Sequence, residues 1–221
     1  MMMKMKNVLA TLTLGALGLQ AGGAAAFPFP IESVVTGADM AGMEVTVTFE
    51  DESTETAIWE TTSTDDSVPF GEGYAGEASG ASWSLAQQGF TFGNNVDGTP
   101  LGLWSFMNFS ASPTIIGFSV NALTGFTLFD IVGDAEVTPG SQLGRAFFTE
   151  LDSSLYTVSY GNQLADDLFG TLTVDFTEGL QAGSVVEFFI DTDGFVPSPG
   201  TLALLATGLI FAGSRRKHGR A

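Results

Sequence analysis

Hydrophobic and polar residues alternate along much of the chain with a period of two. From residue 43 to 49, Met, Val, Val and Phe alternate with Glu and Thr, and from 171 to 176, Leu, Val and Phe alternate with Thr and Asp. Successive side chains of a β-strand point to opposite faces, so this alternation predicts half-buried strands. Similar short runs lie at residues 83–85, 103–109, 115–120, 126–132, 145–149, 155–160 and 185–190.

Turn-forming pairs such as Asp97-Gly98 and Thr124-Gly125 separate these runs. Roughly nine to eleven short strands spaced in this way predict an all-β domain, an antiparallel β-sandwich. A jelly-roll-like topology is the leading expectation, and an immunoglobulin-like sandwich is the alternative. We expect most of the Phe side chains to fill the core between the sheets. The segment 51–80, rich in Glu, Thr and Gly, predicts long loops that link irregular strands.

The first 26 residues have the three zones of a secretory signal peptide. Two lysines precede a short apolar stretch, and Ala24 and Ala26 fit the small-x-small rule for cleavage by signal peptidase. The apolar stretch is too short to span a bilayer. We therefore expect residues 1–26 to form a signal helix that is removed, and residues 27–196 to form the mature central domain.

The last 25 residues, 197–221, have a different three-part layout. The motif Pro197-Ser198-Pro199 is followed by an apolar run over residues 200–213 and then by the basic cluster Arg215-Arg216-Lys217. As a helix this run measures roughly 21 Å, short of the hydrocarbon core of a bilayer at about 30 Å. The pattern predicts a short C-terminal transmembrane helix whose basic end stays in the cytoplasm. Two interpretations stay open, a sorting tail that is recognised and removed, and an ordinary membrane anchor.

This tail resembles the PEP-CTERM sorting signal of Gram-negative bacteria, in which a Pro-Glu-Pro motif precedes a Thr-Leu-Ala-Leu-Leu-like helix and an Arg-rich end. Pro197, Pro199 and the residues 201–205 match that pattern, whereas Ser198 stands where the family usually has Glu. The resemblance implies that an exosortase, a membrane-embedded cysteine transpeptidase, processes the chain near the motif. It further implies transient anchoring in the inner membrane and delivery to the cell surface or to the exopolysaccharide matrix of a biofilm.

The distribution of charge excludes several classes of function. The chain has 25 acidic and 7 basic residues, a net charge of −18, but all 25 acids and only one base, Arg145, lie within residues 27–196, which gives that segment a charge of −24. A single Arg cannot supply a nucleic-acid footprint. The segment has no Lys, His or Cys, which excludes a Ser-His-Asp or Cys-His site, a lysine Schiff base and a His/Cys zinc site. Glycoside hydrolysis needs only two carboxylates, yet no pattern points to it, and we expect no enzyme.

Carboxylates are the remaining candidates for a ligand site. The motif Asp191-Thr192-Asp193-Gly194 resembles part of a Ca²⁺ loop, because oxygen ligands at positions i and i+2 can share one cation. The closing Glu of a complete loop is absent, and the motif is equally typical of a solvated loop. Ca²⁺ on Asp191 and Asp193 is therefore the candidate cofactor, and no other is expected. The other acidic groups, which we interpret as solvated loops, are Asp65-Asp66, Asp166-Asp167 and Asp130 with Asp134 and Glu136.

Aromatic side chains could bind sugar rings by stacking. Trp83 and Trp104 lie in apolar strands, which favours burial, whereas Trp59 and Tyr74 lie in polar surroundings and are the candidates for a binding platform. Acidic polysaccharide would be repelled, which narrows a carbohydrate ligand to neutral glycans or cation-bridged contacts. The leading expectation is thus an exported structural protein of the cell surface or matrix, with exopolysaccharide as a candidate partner. The alternative is a secreted, Ca²⁺-dependent carbohydrate-binding module.

Overall fold

A computed structural model describes residues 30–32, 35–65, 67, 73–94, 100–109, 113–132 and 144–196. This part of the chain is all-β, with two short 3-10 helices at Gly37–Met40 and Ala122–Gly125. The strands in chain order are β1 (Ile31–Glu32), β2 (Glu44–Phe49), β3 (Thr54–Ile58), β4 (Glu60–Thr64), β5 (Tyr74–Ser79), β6 (Trp83–Gln88), β7 (Leu103–Asn108), β8 (Ile115–Asn121), β9 (Thr127–Asp130), β10 (Phe148–Thr149), β11 (Tyr156–Gln163), β12 (Leu168–Leu180), β13 (Val185–Phe189) and β14 (Asp191–Phe195).

The strands form two antiparallel sheets. The first has the order β1-β14-β9-β12-β8-β2-β3, with β11 paired to β12, and the second has the order β10-β13-β7-β6-β5-β4. The chain passes from the edge of the first sheet to the edge of the second at Trp59, between β3 and β4. Strands β13 and β14 are also consecutive and belong to different sheets, so the chain changes sheet again at Ile190.

The inner faces of the two sheets pack on each other through aromatic side chains. Phe118 of β8 and Phe106 of β7 belong to different sheets, and their ring centroids lie 4.5 Å apart. Phe188 of β13 stacks on Phe118 at 6.0 Å, and Phe176 of β12 stacks on Phe106 at 6.2 Å. These contacts define a sandwich-like core, as the alternating pattern predicts.

The strand prediction is confirmed for the alternating runs, and the prediction of long loops in the segment 51–80 is wrong in part. Alternate residues of β2 are buried, and β2 pairs with β8 so that Val45 lies opposite Val120. Within the segment predicted to be long loops linking irregular strands, β3, β4 and β5 are paired antiparallel strands, with one register irregularity between Thr61 and Ser63, and residues 66 and 68–72 lie outside the described residues. Threonine accounts for β3 and β4, because its β-branched side chain favours a pleated surface even where neither face is buried.

Both chain ends fall outside the described residues. These are the predicted signal segment 1–26, with Ala24 and Ala26, and the predicted sorting tail 197–221, with its Pro197-Ser198-Pro199 motif and basic cluster. Across the described ranges, no helix has the length and apolar character needed to cross a membrane.

Candidate metal centre

Three aspartates of two neighbouring strands meet in the first sheet. Asp191 of β14 lies directly opposite Asp130 of β9 in the antiparallel ladder, so the two side chains share a face. Asp193 follows two residues later on β14 and points to the same side. One carboxylate oxygen from each of the three residues lies within 4.8 Å of the others. We call this group the aspartate triad.

The triad is buried, with each of its residues at most 1% exposed. The hydroxyl of Thr91 donates to Asp191 Oδ1 at 2.9 Å, and the N–H of Val132 donates to Asp130 Oδ1 at 3.1 Å. The backbone at Gly144 packs against Asp130 so closely that a Cβ at that position would collide with the carboxyl carbon. Glycine at 144 thus lets the chain cover the triad.

Arg145 carries the only guanidinium among the described residues. Backbone hydrogen bonds of Arg145 hold this residue next to the triad. Its N–H donates to the carbonyl of Asp130 and its carbonyl accepts from the N–H of Asp191, both at 3.0 Å. The guanidinium donates to the carbonyls of Leu101 at 3.2 Å and Gly93 at 3.0 Å, and it attracts Asp191 electrostatically. Three ionised carboxylates this close together repel one another, so a proton or a divalent cation shared between them would stabilise the cluster.

The burial of Asp191 has a direct electrostatic consequence. Its pKa is raised from 3.8 to about 8, mainly by removal from water and then by the negative charges of Asp193 and Asp130, while the hydrogen bond from Thr91 acts in the opposite direction. At neutral pH the triad of the metal-free protein therefore holds a proton. A divalent cation between the carboxylates would displace that proton, because metal ligands must be deprotonated.

The donor set of the triad fits a hard cation. Ca²⁺ takes oxygen ligands at about 2.3–2.6 Å, so two oxygens 4.8 Å apart can both reach an ion midway between them. Carboxylate-only sites suit Ca²⁺, Mg²⁺ or Mn²⁺ and disfavour the softer metals that need Cys or His. Further oxygen ligands would come from water or backbone carbonyls, as is usual for Ca²⁺.

The structure confirms that Asp191 and Asp193 lie close together but places them on a strand, so their interpretation as a solvated loop is wrong. The third member, Asp130, comes from a strand 61 residues earlier in the chain. It belongs to the group that we interpreted as a solvated loop with Asp134 and Glu136, both of which lie outside the described residues. The partner of Asp130 in the ladder could not be read from sequence spacing.

The remaining acidic groups differ from one another. Asp65 is exposed, as predicted, and accepts from the N–H and hydroxyl of Ser67, while its neighbour 66 lies outside the described residues. Asp166 is exposed, also as predicted. Asp167 is fully buried, which contradicts the interpretation as a solvated loop. Its carbonyl accepts from the N–H of Ile131, directly after Asp130, and so ties this turn to the end of β9.

The predicted aromatic platform is not formed by Trp59. Its side chain is 1% exposed, its Nε1 donates to the carbonyl of Gly37 at 2.8 Å, and its ring lies 5.3 Å from that of Trp104. The prediction that Trp59 is accessible to sugar is therefore wrong, because the crossing between the sheets carries this residue into the core. Tyr74 is half-buried at the start of β5, and Trp83 and Trp104 are buried as predicted.

Comparisons of the chain with protein-family models, with curated proteins and with solved structures find no match. The chemistry of the site therefore has to be argued from the residues themselves.

Proposed function

We propose that this protein is an exported structural component of the cell surface or extracellular matrix, without enzymatic activity, and that Ca²⁺ held by the aspartate triad completes its fold outside the cell. The observation that carries the proposal is the burial of three carboxylates in one cluster beside a single guanidinium. Buried charges must be paired, protonated or bound to metal. Extracellular modules commonly bind Ca²⁺ with dissociation constants of about 10⁻⁴–10⁻³ M, a range suited to this role.

The absence of cysteine gives the cation a structural purpose. Exported proteins commonly gain stability from disulfides, and this chain has no Cys to form one. A cation shared by Asp130 of β9 and Asp191 and Asp193 of β14 would cross-link these two strands. Binding to the folded state alone stabilises it by about 2.7 kcal/mol when the free cation is at about 100 times its dissociation constant.

Export and sorting form the second part of the proposal. Residues 1–26 would direct export and be removed by signal peptidase. The tail 197–221, which resembles a PEP-CTERM signal, would anchor the chain in the inner membrane until an exosortase processes it. Strand β14 ends at Phe195, two residues before Pro197, so the motif would lie close to the last strand of the domain. We further propose a jelly-roll-like connection of the strands, with the immunoglobulin-like arrangement as the alternative.

A second candidate function is a carbohydrate-binding module. The observation that favours it is a groove of about 610 Å³ on the second sheet, lined by apolar side chains together with Glu150 and Glu187. Trp59, in contrast, has no part in it, since its ring is buried.

Replacing Pro197 and Pro199 together by Ala should retain the protein in the membrane fraction. The two prolines oppose a helix and keep the motif extended for an enzyme to engage, whereas Ala would let the apolar helix continue through it. Fractionation followed by mass spectrometry of the mature C-terminus measures both outcomes. Pro113→Ala, in the loop before β8, is the matched control and should leave release unchanged. Unaltered release of the double variant would contradict the role of the prolines, and an intact Arg215-Arg216-Lys217 end on the exported protein would indicate a permanent anchor.

A further inference from the structure

The outer face of the second sheet carries a groove that crosses its strands. Cross-strand neighbours on β13, β7, β6, β5 and β4 form one row, Glu187, Ser105, Ala86, Glu77 and Glu60. A depression of about 610 Å³ lies at the β10 and β13 end of this face, and a shallower one of about 140 Å³ lies over β5 and β6. Leu103 of β7 lines both, so the two depressions adjoin at this side chain. We call them together the outer groove.

The polar lining of the outer groove is acidic. Glu150 and Glu187 line its deeper part and Glu77 lines its shallower part. None of the described residues in either lining is basic. Arg145, the only base within residues 27–196, donates its N–H groups to the carbonyls of Leu101 and Gly93, and its guanidinium lies over the ring of Phe189 at 5.9 Å from the centroid. The three glutamates of the lining outnumber this single positive charge. The groove therefore attracts a cationic ligand and repels an anionic one, in line with the strongly negative charge of the whole domain.

Apolar side chains form the rest of the outer groove. Leu103 is 39% exposed and Val185 is 43% exposed, which is unusual for residues in the middle of a sheet. Phe189 lies opposite Leu103 on the neighbouring strand and packs on Phe148 of β10 with ring centroids 6.5 Å apart. A ligand with both apolar surface and cationic groups would find partners for each along one line.

The position of the outer groove decides between a glycan and a peptide. An extended peptide is usually recognised along a sheet edge, where unpaired backbone groups are available. Here the ligand would lie on the face of the sheet, where the strands use their backbone groups in the ladder, so recognition depends on side chains. Six strands about 4.8 Å apart span about 24 Å, a length that suits several sugar rings of a linear polymer. Sugar rings offer C–H faces to the exposed side chains of Leu103 and Val185, and their hydroxyl and ammonium groups can donate to the three glutamates.

We propose that the outer groove binds a linear polymer of amino sugars whose amino groups are not acetylated and are therefore cationic. The proposal extends the second candidate function and replaces the neutral glycan expected from composition by a positively charged one. It is independent of the aspartate triad and of sorting, so that its failure would leave both untouched.

The test is titration calorimetry of the exported protein with glucosamine oligomers, at mildly acidic pH and about 0.15 M NaCl, where charges further apart than about 8 Å are screened. We expect saturable binding of the glucosamine oligomers. N-acetylglucosamine oligomers of the same length, which lack the charge, should bind about tenfold more weakly or less. Glu77→Gln combined with Glu187→Gln should weaken glucosamine binding by about tenfold, and Leu103→Ala should weaken it as well.

Two matched variants and one competitor separate the outer groove from general attraction to an acidic surface. Glu50→Gln combined with Glu178→Gln also removes two negative charges, from exposed positions outside the groove, and Leu155→Ala truncates a leucine that is also 39% exposed. Neither should change affinity by more than about twofold. Equal losses in groove and control variants, or no binding at all, would overturn the proposal. An oligolysine peptide that binds as tightly and competes would also overturn it, in favour of a basic peptide as ligand.

Discussion

Asp191→Asn is expected to stabilise the metal-free protein at pH 8 and to abolish its stabilisation by Ca²⁺. The amide keeps the shape of the side chain and an Oδ1 that accepts from Thr91. At pH 8 Asp191 is about half ionised in the folded metal-free protein, and the amide removes this charge and its repulsion by Asp193 and Asp130, which exceeds the attraction by Arg145. In the wild type, saturating Ca²⁺ should raise the melting temperature by about 5–10 °C, since about 2.7 kcal/mol corresponds to about 2–4 °C per kcal/mol in a domain of this size.

The fall of stability with rising pH should be present in the metal-free wild type and absent in Asp191→Asn. The pKa of Asp191 is about 8 in the folded metal-free protein and near 3.8 when unfolded, so the folded state holds a proton that the unfolded state has lost. The free energy of unfolding of the metal-free wild type should therefore fall as the pH rises from about 4 to about 8, by about 1.4 kcal/mol for each pH unit attributable to this group. In Asp191→Asn this fall is absent. Ca²⁺, which replaces the proton, should stabilise the wild type more at pH 8 than at pH 5.

Differential scanning calorimetry, with Ca²⁺ against EDTA and against NaCl of equal ionic strength, measures both effects. Asp166→Asn is the matched control, because it removes one negative charge from an exposed site close in sequence to buried Asp167. The control should keep the response to Ca²⁺ and the fall with pH. A wild-type melting temperature that responds equally to Ca²⁺ and NaCl would show that the aspartate triad holds no specific cation.

Phe106→Ala should cost about 3–5 kcal/mol in the free energy of unfolding, the range observed when a buried aromatic ring is removed from a core. Phe106 is fully buried and its ring stacks on Phe118 of the opposite sheet at 4.5 Å. It also packs on Phe176 of the opposite sheet and on Trp83 of its own, with centroids 6.2 and 6.3 Å away. A cavity at this position would remove contacts between the sheets that neighbouring rings are too rigid to restore.

Urea unfolding monitored by tryptophan fluorescence measures the loss, with Phe109→Ala as the control. Phe109 directly follows the same strand and is 51% exposed, so its truncation should cost less than about 1 kcal/mol. Similar losses in the two variants would mean that the sheets do not depend on the stacked rings. Calorimetry of Phe106→Ala with Ca²⁺ would also show whether the aspartate triad still forms when the core between the sheets is weakened.

The sequence predicts those strands that have one buried face and one exposed face. Strand β2 is an example, because its apolar residues alternate and are buried in that order. Strand β3 pairs with β2 at the edge of the first sheet and has exposed residues at alternate positions, so its sequence has no apolar period to detect. Its stability comes from pairing, including the contact of Thr46 and Thr56 hydroxyls at 2.9 Å.

The aspartate triad could be predicted only in part. Asp191 and Asp193 were recognisable as a pair because oxygen ligands two residues apart are a local pattern. The burial of Asp191 and Asp193 could not be predicted, because an Asp-Thr-Asp-Gly sequence is typical of turns. These residues form a strand because β14 pairs with β9 and β1. The choice of Asp130 as third member depends on ladder register, which tertiary packing decides.

Strand β14 is also where any mechanical load on the protein would first be felt. The chain leaves the described domain one residue after β14, and the N–H of Val196 donates to the carbonyl of Pro30, so both ends of the domain emerge side by side. Tension on the chain beyond residue 196 therefore acts on a strand held by the two residue pairs of β1 and the four of β9. A cation bridging Asp191 and Asp193 to Asp130 would bear part of that tension. For a protein attached to a cell surface by this end, calcium would then set the force at which the attachment yields.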